Sequence, residues 1–504
     1  MRALLIRPPS ILGRIGRQNL QHPTNILGLA SELKAHGHDA ALLDLEVAPG
    51  GMHDLDAALV ALRDGGDGRG AHDGRVLVGV SVVTPHVPGA AEVLARARAA
   101  LPDAFLIAGG PHATALPDDL LDEIPQLDAV CIGEGDESLP ELCAALDAGR
   151  DDLTGIAGLV LRGHGHTGWR EPIADLDVLA PLDRSLLDWQ AYERLTGHKG
   201  VASPGVIRKG IRATQLHLSR GCYARCVFCS TNAVWGERAR PGIRRRSVAA
   251  VLDELDRLVA DHGINHVNFE DDIFPPTLRY LEELGEALID RPVTWSCNAR
   301  VDGLRREHFE LMAASGCRKI DFGVESGSER ILELNQKLVT RDKVVHVFAE
   351  AKRVGILRTA YLMLGSHVDE TPAEVELTWA LAKEIAPDYV TFTVACPYPG
   401  TELWTECKAR GYLEYEANGR PDWKRYGYYP GLPPWRFTHF SPEQMLATQK
   451  RFLRRFYLDP RFAWRMLRRV RGGDSLAALL TAGADVAWFL MKDVGRRARR
   501  PLQS

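Results

Sequence analysis

Three residues carry the most legible chemistry in this chain: Cys222, Cys226 and Cys229, separated by three and two residues. Three thiolates at that spacing can hold three irons of a [4Fe-4S] cluster while the fourth iron stays open to another ligand. The next cysteine, Cys297, lies far along the sequence, so a fourth local thiolate is missing. A zinc site would need the same three cysteines with His217, without the usual paired-knuckle spacing. Three unligated core cysteines are the bland alternative. Phe228 and Tyr223 stand between the ligands and would shield a cluster from water, which bears on its reduction potential.

The elements around the cysteines must hold them still. A strand expected over residues 213–218 leads straight into GCYARCVFCS, and five further strands are expected at 267–269, 293–297, 319–323, 357–363 and 389–394. Helices separate them, among them 248–260 with Val251, Leu252, Leu255 and Val259 on one stripe. Six such units close only part of a barrel. Upstream, residues 1–150 alternate apolar runs with helical patterns, the rhythm of a doubly wound parallel sheet. Strands are expected at 2–6, 39–45, 76–82, 104–108 and 129–132, and Thr24 or Asn25 is expected to cap the first crossover helix.

Open parallel sheets bind ligands beyond the carboxyl ends of their strands. The segments there are Arg7-Pro8-Pro9, 81–86 with Ser81, Thr84 and His86, Gly109-Gly110-Pro111-His112, and Gly133-Glu134-Gly135-Asp136. Small residues at these points let a large flat ligand approach the backbone, although Gly109 and Gly110 also read as turn glycines. An edge strand at 156–161 and a connector complete residues 151–211. The barrel fills 212–398, and 399–504 holds an aromatic segment and a basic helical region. The aromatic residues, including Trp404, Trp423, Tyr426, Tyr428, Tyr429 and Trp435, either cap a cavity or pack as a small appendix.

Composition excludes several classes. With 504 residues, 45% apolar and 25% charged, the chain has the balance of a globular protein rather than a coiled coil or a disordered one. Its net charge of -4 offers no overall attraction to nucleic acid. The apolar N-terminal run is too short for a signal peptide and the run 476–491 too short for a membrane span, and the nine cysteines, odd in number and unevenly placed, are poorly spaced for disulfides, so a reducing cytoplasm is expected. Thirteen Lys or Arg against four Asp or Glu from 451 to 504 allow weak contact with a membrane surface, or a solvated basic face packed by Phe452, Phe456, Phe462 and Trp464. No nucleophile triad or paired carboxylate is evident. Asp272 reads as a helix N-cap.

The segment LSRGCYARCVFCS, residues 218–230, resembles the signature of radical S-adenosylmethionine (SAM) enzymes, whose cluster binds SAM through its amino and carboxylate groups. NFEDDIF at 268–274, FGVESGS at 322–328, LMLG at 362–365 and PYPGT at 397–401 resemble later strand ends of that family, in order. The resemblance implies that Glu270 or Asp271 accepts from the SAM ammonium, that Asn298 and Arg300 face its carboxylate, that Glu325 and Ser326 hold the ribose, and that Gly365 lies at a further strand end. The N-terminal half resembles the cobalamin-binding domain of the B12-dependent members. It implies corrinoid contacts at Pro8, Pro9, Ser81, Thr84, Gly109, Gly110, Pro111, His112, Gly133, Glu134 and Gly135. One departure stands out: 44–49, DLEVAP, lacks the histidine of the cobalt-coordinating Asp-x-His-x-x-Gly motif.

The family likeness implies an enzyme with three cofactors: a [4Fe-4S] cluster, SAM and cobalamin. Methylation of an unactivated carbon in a small or secondary metabolite is the leading expectation. Cyclisation, ring contraction or rearrangement without methyl transfer is the first alternative; a cobalamin-free radical enzyme and a non-enzymatic iron-sulfur interaction protein are the others. The expected partners are a small-molecule substrate and a low-potential electron donor such as a flavodoxin or ferredoxin, with no nucleic acid.

Overall fold

A computed structural model describes residues 1–10, 20–64, 75–196, 199–200, 206, 208, 210–231, 234, 242–427 and 432–468. The chain divides into two compact units. One comprises Met1–Gly197, Cys229–Arg246 and Tyr398–Thr401, and the other His198–Phe228, Ser247–Pro397 and Glu402–Ser504.

The first unit is built on strands β1 (Arg2–Arg7), β2 (Asp39–Asp44), β3 (Val76–Ser81), β4 (Phe105–Gly109), β5 (Ala129–Cys131), β6 (Leu159–Leu161) and β7 (Gly165–His166), in the sheet order β2-β1-β3-β4-β5-β6-β7. The first five run parallel, β6 is antiparallel to β5, and β7 is antiparallel to β6. Parallel neighbours require crossovers, supplied by the helices Thr24–Ala35, Met52–Asp64 and Val87–Ala100. The central strands are buried on both faces, as their unbroken apolar runs demand: Ile6, Leu77, Val78 and Leu106 are almost inaccessible to solvent. The expected cap of the first helix is different in fact. Pro23 occupies the N-cap position without a side-chain bond, and the Asn25 amide instead donates to Ser81 Oγ at 2.9 Å.

The second unit carries a seven-stranded, wholly parallel sheet: β8 (Lys199–Gly200), β9 (Arg212–Leu216), β10 (His266–Phe274), β11 (Thr294–Ala299), β12 (Cys317–Glu325), β13 (Leu357–Leu364) and β14 (Tyr389–Val394), lying side by side in chain order. It is the partial barrel expected, with one two-residue edge strand added. The helix Val248–His262 shows how the sequence sets the boundaries. Ser247 Oγ accepts from Ala250 N at its start, Gly263 closes it in the left-handed region, and Val251, Leu255 and Leu258 are buried beneath it.

The aromatic segment after Pro399 packs against itself rather than standing open. Trp404 and Trp423 stack at 5.9 Å, Tyr426 meets Trp435 at 5.4 Å, and all four are buried. Tyr428 and Tyr429 lie outside the described residues. The helix Pro442–Tyr457 opens with a capping box from Ser441 and Gln444 and buries Phe452 against Phe392 at 5.2 Å. Phe456 is buried too, whereas Trp464 is 57% exposed and does not pack the basic face as expected. Among the described residues no helix is long and apolar enough to cross a membrane; the run 476–491 lies outside them.

Candidate functional site

In the second unit the approach to the cysteines is held from β10. Asp271 Oδ1 accepts three hydrogen bonds, from Leu218 N at 2.9 Å, Ser219 N at 2.6 Å and Ser219 Oγ at 2.7 Å. Asp272, read from sequence as a helix cap, lies inside the strand and accepts from Gly221 N at 3.0 Å; Thr277 caps the next helix. Two adjacent carboxylates therefore fix the backbone on which Cys222 sits. The Cys222 sulfur accepts from Ala224 N at 3.4 Å, and Cys226 is buried. Val227 N donates to Asn335 O at 3.3 Å and Leu403 N to Val227 O at 3.0 Å, fastening the loop beyond Cys226. Phe228 is half-buried, and Tyr223 is 57% exposed, its hydroxyl donating to Asp302 and its ring lying under Arg300.

Charge around Cys226 is arranged for an anion. Arg300 is held by Asp302 Oδ1 at 2.8 Å and donates to Lys337 O at 2.8 Å. The Lys337 ammonium lies 2.9 Å from Glu325 Oε1. Burial opposes the charged form of Lys337, but Glu325 and then Cys226 outweigh it, and its pKa lies above the ordinary lysine value. Arg300 is likewise shifted upward: burial opposes its charge, and Asp302, Tyr223 and Cys226 overcome that.

Beyond the loop the parallel sheet presents a polar face. Parallel strands covered on both sides are normally apolar throughout. Here His266, Asn268 and Glu270 alternate with Val267 and Phe269, and register places Asn268 beside Ser296, Ser296 beside Lys319, and Asn298 beside Asp321. Asn298 Nδ2 donates to Glu270 Oε2 at 2.9 Å, bringing together two residues singled out from the sequence. Lys319 bridges to Asp321 at 2.8 Å, and Tyr361, 38% exposed, reaches Asp321 through its hydroxyl at 3.3 Å. The rest of this face, His266, Asn268, Ser296, Lys319 and Asp321, was missed in the sequence, though its polar and apolar alternation was there to find.

The remaining expected residues of this unit have other engagements. Asp271 is buried with Oδ1 used three times and, among the described residues, no partner for Oδ2, whereas Glu270 is half-buried and accepts from Asn298. Burial raises the Asp271 pKa to about 7, the bonds from Ser219 and Leu218 opposing it less strongly. Ser326 is fully buried; its hydroxyl meets Thr378 Oγ1 at 3.3 Å and accepts from Ser328 N at 3.2 Å, a turn-forming role. Gly365 has φ of 68°, and a Cβ there would lie 2.4 Å from the Phe437 ring, so that position serves packing.

In the first unit the carboxyl ends of β3, β4 and β5 form one ridge. Ser81 lies beside Gly109, His112 Nδ1 meets Thr84 Oγ1 at 3.1 Å, and Gly133 N donates to Thr114 Oγ1 at 3.1 Å. Burial lowers the His112 pKa to about 3, leaving the imidazole neutral. Gly110 takes φ of 100° against the backbone of Val82, 3.0 Å from where a Cβ would be, which accounts for glycine there as a turn requirement. Pro111 opens the helix Pro111–Ala115, Pro8 is buried, and Pro9 packs beneath Gly89. Gly133 faces the Trp169 ring and Gly135 faces Leu29.

Glu134 is claimed by a residue the sequence did not mark. Arg244 forms a two-pronged pair with it, each bond 2.8 Å, and Ile173 N donates to the same carboxylate at 3.1 Å. Both side chains are over nine-tenths buried. Arg244→Met is expected to lower unfolding free energy by about 3 kcal/mol, since it strands a buried carboxylate. Urea denaturation of the variant beside Glu134→Gln checks this: the Arg244 change should cost more.

The donors fit an iron-sulfur cluster. Three thiols are present, one of them buried within reach of two cations, and a backbone N–H points at another sulfur. Among the described residues no three His, Cys, Asp or Glu side chains converge as a single metal ion requires. A cubane distributes its thiolates over separate irons and makes no such demand. On the first unit Gly109 is half-buried, and a Cβ there would come no closer than 3.7 Å to Cys131, so the backbone at the end of β4 leaves room for a ligand.

A doubly wound domain and a parallel partial barrel entered through a three-cysteine loop define a class of radical enzymes. Residues 216–378 match the radical SAM superfamily and residues 14–143 the B12 binding domain. The chain belongs to the cobalamin-binding radical SAM family. An uncharacterized methyltransferase of Pyrococcus horikoshii is 29% identical, covering 92% of this chain and 93% of that one. Cytidylyl-2-hydroxyethylphosphonate methyltransferase of Streptomyces wedmorensis is 28% identical over 83% of each. Anaerobic magnesium-protoporphyrin IX monomethyl ester cyclase of Rubrivivax gelatinosus is 29% identical, over 66% of this chain and 58% of its own length. Among solved structures, the radical SAM methyltransferase TsrM of Kitasatospora setae superposes with a TM-score of 0.65 at 19% identity, covering 91% and 90% of the two chains.

Proposed function

We propose that this protein is a cobalamin-dependent radical SAM enzyme that generates a carbon radical on a small molecule. The observation that carries the reading is the meeting, in the second unit, of buried Cys226, the cations Arg300 and Lys337, and the polar strand ends bearing Glu270, Asn298 and Glu325. Cys222, Cys226 and Cys229 would hold the cluster, the pair Glu270 and Asn298 the methionine end of SAM, and Glu325 its ribose. The ridge formed by residues of the domain 1–150 would take the corrinoid. When bound, these groups supply one-electron cleavage of SAM to a 5′-deoxyadenosyl radical and a methyl or redox partner at cobalt. The protein's own part is placement: Asp271 and Asp272 immobilise the loop before Cys222, Asn298 orients Glu270, and the polar face orients the substrate.

Two fates of the substrate radical are open. Methyl transfer is favoured by the relatives matched over most of their own length, whose names are methyltransferases. Ring closure or rearrangement is favoured by the relative whose name is a cyclase, matched over 58% of its own length. A low-potential electron donor is required by either. Anaerobically reconstituted protein incubated with cobalamin, reductant, deuterated-methyl SAM and candidate substrates is expected to release 5′-deoxyadenosine. Label in the product together with S-adenosylhomocysteine assigns methyl transfer; an unlabelled product of altered mass assigns cyclisation or rearrangement. Protein with a full cluster that leaves SAM intact would overturn both.

A further inference from the structure

Lys337 stands in the loop between the helices Glu329–Leu334 and Arg341–Arg353, yet its side chain is only 8% exposed. Burial normally drives a lysine towards its neutral form. Here the ammonium lies 2.9 Å from Glu325 Oε1, and Cys226 also favours its charged form. Space has been cleared for the pair: a Cβ on Gly323 would lie 2.7 Å from Glu325 Oε1 and 3.0 Å from Lys337 Nζ. Glu325 itself takes φ of 67°, a costly conformation for a residue with a side chain. The loop bearing Lys337 is also tied to the cysteine segment, through Asn335 O to Val227 N and through Lys337 O to Arg300.

Three thiolates make a bound cluster anionic, and reduction adds another negative charge. In a poorly polarisable interior, a fixed cation beside one of those thiolates favours the reduced state. We infer that Lys337 is a positioning residue that raises the reduction potential of the iron-sulfur cluster, with Glu325 offsetting part of its charge. This rests on the cluster assigned under the proposed function.

The test is an EPR-monitored redox titration of anaerobically reconstituted full-length protein, with iron content measured alongside. Lys337→Met is expected to reduce the ratio of reduced to oxidised cluster at a fixed potential by about tenfold, equivalent to about 59 mV for a one-electron couple. Lys337→Arg should stay near the parent, and Glu325→Gln should move the potential the other way, because it leaves the cation uncompensated. A purely structural role would give no such opposition of sign. The inference is overturned if Lys337→Met and Glu325→Gln leave the potential unmoved or shift it in one direction. Should Lys337→Met fail to hold iron, Glu325→Gln decides: a raised potential supports the inference and any other result ends it. A parent protein that takes up no cluster would remove the functional reading instead.

Discussion

Cys226→Ala protein, reconstituted anaerobically, is expected to hold no SAM-responsive cluster and to form 5′-deoxyadenosine at least about 10³-fold more slowly than the parent, a barrier increase of about 4 kcal/mol. The size of the effect follows from where the thiol is. Cys226 is 6% exposed and its loop is pinned on the far side by Val227. Cys131 and Cys143, both buried in the first unit, are pushed up to about 12 by burial and remain neutral thiols. Cys143→Ala is the matched control, expected to lose packing while its iron content and SAM cleavage stay at parental levels. Retention of both iron and cleavage by Cys226→Ala would remove that residue from the cluster. Absorption near the iron-sulfur charge-transfer bands, iron analysis and chromatography of 5′-deoxyadenosine read the outcome.

Much of this arrangement is legible in the residues because it is local. Buried parallel strands announce themselves as runs such as Val76–Ser81, and the cysteine spacing is complete within eight positions, 222–229. What escaped is what depends on distance. Asp272 looked like a helix cap because a carboxylate after an apolar run often is one, while its partner, Gly221, is fifty-one positions away. Arg244 and Glu134 are 110 positions apart, and no pattern links them. Lys337 sits in a loop, where no periodicity says which way a side chain turns. The short edge strands Gly165–His166 and Lys199–Gly200 are too brief to show alternation. Most of the polar strand face is the instructive miss: the alternation across 266–270 is visible, yet only Glu270 and Asn298 are marked from the sequence, and by resemblance rather than by that pattern.

Asp271 gives the largest expected effect on stability, and its size depends on pH. Asp271→Ala deprives Leu218 N, Ser219 N and Ser219 Oγ of their common acceptor within a buried segment. At about 1–3 kcal/mol for each stranded donor, partly relieved by relaxation, the cost near pH 5 should be about 5 kcal/mol. Because those donors lead into the cysteine loop, the variant should also lose cluster iron. Asp271→Asn separates charge from hydrogen bonding, since its carbonyl can still accept. In the folded chain burial raises the Asp271 pKa to about 7, whereas the unfolded chain ionises near the ordinary value of about 3.9. Between those limits the folded state binds the extra proton, so this residue's contribution to stability is full below about pH 4, falls as pH rises, and is exhausted above about pH 7. The difference in unfolding free energy between Asp271→Asn and the parent should therefore move in favour of the variant by about 4 kcal/mol across that window. Taking the difference cancels Glu370, whose carboxyl burial raises to about 8 and which slopes the same way in both proteins. Denaturant melts at pH 4 to 8 would measure it, and a difference that stays flat would mean that Asp271 is already ionised in the folded protein and holds the loop as a charged group.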